Sequence, residues 1–272
     1  MKKAIFLFLA LAFGGKYVLA QDGGENDLKN FRFGIKTVGM LTWYKPDDQK
    51  KFSSDGVTAR GGYGLMTEFR LNKVAVIATG LQVDYDAGKL NMLDTNFYYL
   101  SKDGELLSRA DTAGKNYTAY KLNSRLYKTT YITIPLTLKL KTGEIGYMTY
   151  YGQFGVNASF RLGSHADDAV TLTNRSSGAP YLTAGSGTAS QDKLDNTSDM
   201  NLFKFALNIG GGAEWNLSGS TSLVFGINWY NGFSNVLKKD SKYLFRTYSN
   251  DFNATKQNAR SSAIALTVGV LF

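Results

Sequence analysis

Apolar and polar residues alternate with a period of two along most of the chain after residue 30. Side chains of one parity in a β-strand point to one face, so this period predicts strands with one apolar face and one polar or small-residue face. Eight segments carry the pattern. They are residues 31–43, 60–71, 74–85, 127–141, 147–162, 203–217, 221–231 and 258–272.

The last of these segments, residues 258–272, shows the alternation most clearly. Ile264, Leu266, Val268 and Val270 share one parity with Phe272, and small or polar residues occupy the other. A closing strand of this kind would pair with residues 31–43 and so remove both free edges of the sheet. We predict that Phe272 is the barrel assembly signal, recognised by the machinery that inserts such barrels.

Short and long connections alternate strictly between the eight segments. The long ones span residues 44–59, 86–126, 163–200 and 234–259, and the others are tight turns. An even number of antiparallel strands with this asymmetry is the arrangement of an outer-membrane barrel. The sequence therefore predicts an all-β fold: an eight-stranded antiparallel transmembrane β-barrel with four long extracellular loops and short periplasmic turns.

A soluble sandwich or a lipocalin-like barrel would also alternate, but it would bury its apolar face inside. The position of the aromatic residues favours the membrane barrel. The aromatic residues near the long-loop ends are Trp43, Tyr44, Tyr85, Tyr127, Trp229, Tyr230 and Phe233, and those near the turn ends are Phe31, Phe69, Tyr147, Trp215 and Phe272. Two aromatic belts of this kind are expected where a barrel crosses the two membrane–water interfaces.

The polar faces of the strands would then line the lumen. The interior of an eight-stranded barrel is about filled by its own side chains, so the charges should pair across it and plug it, which argues against a diffusion porin. This predicted lumen network consists of Arg32, Lys36, Glu68, Arg70, Asp84, Lys139, Arg161, Lys204 and Glu214.

The chain begins with the features of an export signal. Residues 1–20 contain Lys2 and Lys3, an apolar stretch, and the small-residue cleavage site that ends at Ala20. We expect residues 1–20 to be cleaved, residues 21–30 to form a periplasmic leader, and residues 31–272 to form one barrel domain. The formal net charge of +9 becomes +6 when the signal, with three lysines and no acid, is removed.

The absence of cysteine excludes disulfides and thiolate metal sites. Basic residues concentrate in the predicted extracellular loops, for which phosphorylated lipopolysaccharide is the obvious counter-ion. Outer-membrane lipid, lipopolysaccharide, the assembly machinery and envelope or secretion proteins are the expected partners. Nucleic acid is not expected in this compartment, and no cofactor or metal is predicted.

An enzyme that modifies lipid A or phospholipid is the alternative from another class of function. Barrel enzymes of this kind use Ser and His with an acid. The only histidine, His165, follows Ser164 and precedes Asp167 and Asp168. Because adjacent residues on an extended chain point to opposite faces, an ordinary loop histidine is the favoured interpretation.

The mature chain resembles the PorT-like outer-membrane barrels of Bacteroidota. The resemblance is carried by the segments that begin at Phe31 (FRFGIK), Tyr131 (YITIPL), Tyr151 (YGQFGVN) and Gly210 (GGGAEW). It implies the same fold and location, and it implies a part in type IX secretion, to which the founding member is linked. The sequence thus favours a barrel with a plugged lumen that acts as an envelope scaffold or binding platform.

Overall fold

A computed structural model describes residues 30–94, 96–112, 116–176, 184–248 and 251–272. The predicted signal sequence, residues 1–20, and nearly all of the predicted leader, residues 21–30, lie outside these residues. In the part of the chain so described, no helix is long and apolar enough to cross a membrane.

The described residues form one antiparallel sheet and two short 3₁₀ turns, Arg109–Thr112 and Thr197–Asp199. In chain order the strands are β1 Phe31–Pro46, β2 Phe52–Ser54, β3 Thr58–Arg70, β4 Ala75–Met92, β5 Phe97–Lys102, β6 Glu105–Leu107, β7 Thr118–Lys141, β8 Met148–Ser176, β9 Ala184–Asp195, β10 Phe203–Ser218, β11 Thr221–Asn235, β12 Asp240–Tyr248, β13 Asp251–Lys256 and β14 Ala259–Leu271.

Eight of the strands form a closed ring, in the order β1, β3, β4, β7, β8, β10, β11 and β14, with β14 pairing back to β1. The closing seam runs from the Gly34–Leu271 pair to the Pro46–Ala259 pair. Phe272 extends it, because its backbone N–H donates to the Phe33 carbonyl at 2.7 Å. The prediction of an eight-stranded antiparallel barrel is confirmed.

The apolar face of the ring lies outside. Outward side chains such as Ile35, Leu65, Leu136, Phe154 and Leu266 keep more than half of their surface exposed. Inward positions on the same strands are buried and largely polar. This distribution reverses that of a water-soluble barrel and matches a wall that faces lipid.

Glycines let the wall of β8, β10 and β11 close tightly around an aromatic side chain. A Cβ at Gly212 would lie 1.9 Å from the Phe225 carbonyl oxygen and 2.6 Å from the Tyr151 hydroxyl. Tyr151 itself points inward over this place, and its hydroxyl donates to the Phe225 carbonyl at 3.2 Å. Gly212 and its register partner Gly226, where a Cβ would also lie 2.6 Å from the Tyr151 hydroxyl, therefore make room for Tyr151 in the lumen.

The extracellular side is more structured than the sequence predicted. β7 begins at Thr118 instead of residue 127, and β8 continues to Ser176 instead of residue 162. β9 pairs with β8, and β5, β12 and β13 continue the sheet beyond β7. We call this region the extracellular cap: β2, β5, β6, β9, β12 and β13 with residues 86–92, 118–129 and 163–176 of the long strands.

The cap has an apolar core of its own. Its inner face buries a cluster made of Phe52, Phe97, Tyr99, Leu122, Ala166, Val170, Leu194 and Leu244. A second cluster lies between this core and the barrel lumen. It consists of Tyr44, Leu90, Tyr127, Met200, Val236, Leu237 and Ala259. Three of the predicted long loops, residues 86–126, 163–200 and 234–259, are therefore largely folded β-structure in their described parts.

Candidate functional site

Five charged side chains meet inside the barrel near its periplasmic end. We call Arg32, Glu68, Lys139, Lys141 and Glu214 the periplasmic charge cluster. Glu68 accepts hydrogen bonds from Lys139 Nζ at 2.6 Å and from Lys141 Nζ at 2.5 Å. Glu214 accepts from Arg32 Nη1 at 2.9 Å, and its Oε1 lies 2.6 Å from Lys141 Nζ. The cluster joins β1, β3, β7 and β10 across the lumen.

Strand alternation explains why these side chains meet. Each occupies an inward position near the periplasmic end of its strand, where Arg32 lies opposite Glu68 in the β1–β3 register. Four of the five are less than a tenth exposed, and Arg32 is 12% exposed. The two carboxylates and the three cations compensate one another's charge. Each of these charges would be very costly to bury alone.

The remaining predicted lumen residues occupy three other places. Lys36 lines a cavity of about 50 Å³ above the cluster. Asp84 is buried at the next level and accepts a hydrogen bond from Gln82 Nε2. Arg70 is half-buried at the periplasmic edge, where its Nε has no hydrogen-bond partner among the described residues.

Lys204 belongs to a separate pair nearer the extracellular end. Its Nζ donates to Asp86 Oδ2 at 2.9 Å and lies 4.4 Å from the centre of the Tyr131 ring. Ser261 Oγ donates to the same carboxylate oxygen at 2.7 Å. Arg161 joins neither group of charges, because its Nη1 donates to the backbone carbonyl of Thr197 at 2.7 Å.

Two small cavities lie inside the barrel among the described residues. Besides the cavity next to Lys36, a cavity of about 20 Å³ lies between Asp84 and Asp86, and the Tyr230 side chain borders both. A buried water needs roughly 10–15 Å³, so these cavities are sized for a few water molecules. The side chains of the periplasmic charge cluster are buried in the lumen near one end, and those of the apolar cluster around Tyr44 are buried near the other.

Two of these charged residues were missed by the sequence analysis. Lys141 shares the inward parity of Lys139, so the alternation alone would have found it. The alternation predicts that the strand from residue 74 ends at residue 85, which places Asp86 in a loop. In the structure β4 continues to Met92, and Asp86 is an inward position of that strand.

The cap contains a fully buried ion pair that was also missed. Arg125 donates from Nε and Nη2 to the two oxygens of Asp168, at 2.7 and 2.6 Å. The guanidinium lies 5.4 Å from the Tyr99 ring centre and 5.9 Å from that of Tyr127. Burial opposes the charge, but Asp168 outweighs it and raises the pKa of Arg125 above its ordinary value. This pair cross-links β7 and β8 inside the cap.

The residues of the enzyme hypothesis do not assemble. Ser164 points inward, and its Oγ lies 2.9 Å from Thr129 Oγ1, whereas His165 is exposed on the opposite face of β8. Asp167 faces outward and is bonded by Lys128, while Asp168 is held by Arg125. Among the described residues, no group of three or more His, Cys, Asp or Glu side chains is placed to hold a metal ion.

Phe272 lies at the periplasmic rim, where its ring centre is 5.6 Å from that of Phe33. Phe33, Phe69 and Trp215 are exposed on the outer surface at the same end. At the extracellular end, Trp43, Tyr85 and Trp229 also face outward. Two aromatic belts are thus present, but Tyr44, Tyr127 and Tyr230, which the sequence placed in the extracellular belt, point into the barrel because they occupy the inward parity of their strands. The role of Phe272 as an assembly signal stays a prediction, which the outer-membrane level of a Phe272→Ala variant would test.

A closed antiparallel ring with an apolar exterior, two aromatic belts and a polar interior defines a membrane β-barrel. The profile of the family described as outer membrane protein beta-barrel domain matches residues 20–238, and the chain belongs to this family. The protein is therefore located in the outer membrane. No curated protein matches the chain significantly.

Several solved outer-membrane proteins are similar to this chain at low sequence identity. OprG from Pseudomonas aeruginosa is 13% identical, with 89% of this chain and 92% of that chain covered and a TM-score of 0.44. A major outer membrane protein from Thermus thermophilus is 15% identical, with 89% and 99% covered and a TM-score of 0.37. Neisserial surface protein A is 12% identical, with 89% and 97% covered and a TM-score of 0.36.

Proposed function

We propose that the protein is a non-enzymatic envelope scaffold whose extracellular cap is a binding platform. The observation that carries the proposal is the burial of side-chain clusters in the lumen near both of its ends. The periplasmic charge cluster fills one end, and the apolar cluster around Tyr44 and Tyr127 fills the other. A barrel filled in this way offers no wide path for solutes, so its accessible functional surface is the outside of the cap.

The folded cap suits such a role because its strands continue the barrel wall. The Arg125–Asp168 pair fixes β7 against β8, and Asp199, which is fully buried, accepts hydrogen bonds from Ser241 Oγ and from Lys242 N at 2.6 Å. The Arg125–Asp168 pair and the hydrogen bonds to Asp199 each join two segments that the sequence predicts to lie in different loops. A preorganised surface loses less conformational entropy on binding than a mobile loop does.

The finer proposal is an accessory role in type IX secretion. It rests on the resemblance of the segments at Phe31, Tyr131, Tyr151 and Gly210 to the PorT-like barrels of Bacteroidota. Deletion of the gene should then leave type IX cargo in the periplasm. Normal secretion by the deletion strain would contradict the secretion role and leave the general platform proposal standing.

Site-specific photo-cross-linking in intact cells tests the platform. A photoreactive residue at the exposed cap position Lys102 or Lys238 should give discrete protein adducts, whereas one at Glu144, in a periplasmic turn, should not give the same adducts. Absence of cap-specific adducts would contradict the proposal. The non-enzymatic part is tested by mass spectrometry of lipid A and phospholipids from cells with and without the protein, since a changed acyl number would contradict it.

A further inference from the structure

Lys36 differs from the other lysines that face the barrel lumen. Lys139, Lys141 and Lys204 each have their Nζ close to a carboxylate oxygen, at 2.6, 2.5 and 2.9 Å. Lys36 occupies an inward position of β1, but no carboxylate oxygen of the described residues lies within 4 Å of its Nζ. Asp84 attracts it only from a greater distance. Its ammonium group is therefore a lumen cation without a direct ion-pair partner.

The register of the barrel wall explains this isolation. The two residues opposite Lys36 on the neighbouring strands are Gly269 of β14 and Gly64 of β3, so no side chain beside it at this level can pair with it. A Cβ at Gly269 would lie 2.6 Å from the Ile35 carbonyl oxygen and 3.1 Å from the Cβ of Lys36 itself. The two glycines therefore leave space around Lys36 that larger residues would occupy.

The space beside Lys36 is the cavity of about 50 Å³ inside the lumen. Three neutral side chains at this cavity are hydrogen-bonded in series, because Gln153 Nε2 donates to Asn228 Oδ1 at 2.6 Å and Asn228 Nδ2 donates to Thr267 Oγ1 at 3.4 Å. An amide nitrogen carries two hydrogens, so Gln153 and Asn228 each keep a second N–H. Asn208 Oδ1, a buried acceptor at the same cavity, has no donor among the described residues. The lining thus offers several donors to an anion and one acceptor that requires a donor such as water.

The formal charges in this part of the lumen do not balance. Four cations face three carboxylates, and the groups are Arg32, Lys36, Lys139 and Lys141 against Glu68, Asp84 and Glu214. Glu68 borders the cavity, but its two oxygens already accept hydrogen bonds from Lys139 and Lys141. The Lys204–Asp86 pair nearer the extracellular end is balanced by itself. One positive charge is left over, and a charge that stays uncompensated inside a barrel is costly.

We propose that this cavity binds one halide ion, with chloride as the natural occupant, held by Lys36 Nζ and the free N–H groups of Gln153 and Asn228. At roughly 15 Å³ for each water-sized particle, the cavity accommodates about three, which leaves room for the ion and for the water that Asn208 Oδ1 requires. A tetrahedral oxyanion, with four oxygens around its central atom, would fill this space alone. The site lies in the barrel interior, so it goes beyond the platform proposed for the cap, and either proposal can fail without the other.

Anomalous X-ray diffraction from crystals of the full-length barrel tests the site directly. Bromide, which is chemically close to chloride and scatters anomalously, replaces chloride in the refolding and crystallisation buffers. An anomalous peak is expected inside the lumen between Lys36 and Asn228, and Lys36→Met should abolish it. Bromide bound only at exposed lysines such as Lys102 would be adventitious and would overturn the proposal. A cavity without a bromide peak, in which water alone bridges Lys36 to Asp84, would overturn it as well.

Urea unfolding in detergent micelles supplies a second test, because urea adds no ions. A ligand that binds only the folded state raises the unfolding midpoint as its concentration increases. Chloride should therefore raise the midpoint of the wild-type barrel, and Lys36→Met, which removes the charge and keeps the length of the side chain, should lose this dependence. Lys102→Met, at an exposed position in the cap, is the matched control and should respond as the wild type does. Equal chloride responses of the wild type and Lys36→Met, or a wild-type midpoint that does not change with chloride, would contradict the proposal.

Discussion

Arg125 and Asp168 form a two-pronged ion pair with neither side chain exposed, in the middle of a cap that the sequence presented as loops. The guanidinium is enclosed by the Tyr99 and Tyr127 rings. A buried pair of this geometry contributes little net stability relative to apolar residues, but removal of one partner leaves a buried unpaired charge. Because Arg125 and Asp168 meet only in one register of β7 against β8, the pair favours that register over the alternatives.

Arg125→Met should destabilise the cap by about 3–5 kcal/mol, because Asp168 is left without its partner. The double variant Arg125→Met/Asp168→Leu should recover much of this loss, since no buried charge remains. Hydrogen exchange of the cap amides of β7 (residues 118–129) and β8 (residues 163–176) is the appropriate measurement, with the barrel amides of the same strands as the internal reference. A double variant as unstable as the single one would contradict this explanation.

The periplasmic charge cluster gives a similar prediction with an internal comparison. Glu68→Gln leaves three cations with one carboxylate, whereas Lys141→Met leaves two cations with two carboxylates. We expect Glu68→Gln to cost about 3–5 kcal/mol and Lys141→Met distinctly less. Denaturant unfolding in detergent, followed by tryptophan fluorescence, measures both, and the reverse order of stability would contradict the charge argument.

The sequence predicted the barrel wall well because the bilayer imposes a strict alternation on it. One parity must be apolar to face lipid, so the inward positions of Arg32, Glu68 and Glu214 follow directly. Alternation gives no information about the distance between residues on strands that are not adjacent. The contact of Arg32 with Glu214 could not be distinguished from a contact with any other inward charge.

The cap was missed for a related reason. Above the membrane the outer face is in water, so only the inner face must be apolar, and the contrast between the parities weakens. A bulge in β8 weakens the alternation further. Tyr131 pairs with Arg161 while Thr130 pairs with Gly163, so the inward parity of β8 changes at Leu162. The pattern from Ser164 to Val170 then appears out of phase with the strand below it, and the segment was interpreted as a loop.

The exposed contact between Lys128 and Asp167 gives the cap a pH-dependent feature. Partial burial alone would raise the pKa of Asp167, but hydrogen bonds from Lys128 Nζ and Lys193 N outweigh it, so this pKa lies below its ordinary value of 3.8. A lowered carboxyl pKa stabilises the folded state above pH 3.8, and this contribution is lost as the pH falls through the lowered value.

Lys128→Met should therefore raise the pKa of Asp167 toward 3.8. Carboxyl-carbon NMR titration of the barrel in detergent micelles measures the change. Asp48, whose pKa is lowered by its own contact with Lys51, is the control and should titrate identically in both proteins. An unchanged Asp167 pKa would show that Lys128 does not hold the carboxylate in solution.

Gly88 permits the apolar cluster that closes the extracellular end of the lumen. A Cβ at this position would lie 2.2 Å from the Tyr44 ring, which is fully buried and has its ring centre 5.9 Å from that of Tyr127. Gly88→Ala must displace Tyr44, and overpacking of this kind costs about 1–3 kcal/mol. Gly152→Ala, with open space around its Cβ, should change stability by less than about 0.5 kcal/mol.

The two glycine variants can be compared by denaturant unfolding in the same detergent. Combining Gly88→Ala with Tyr44→Leu supplies the decisive measurement, because a smaller side chain at residue 44 relieves the clash. The double variant should then be more stable than the sum of the single effects predicts, since residues in contact couple by about 0.5–3 kcal/mol. Strict additivity would mean that Gly88 acts through backbone conformation and that its close approach to Tyr44 has no energetic consequence.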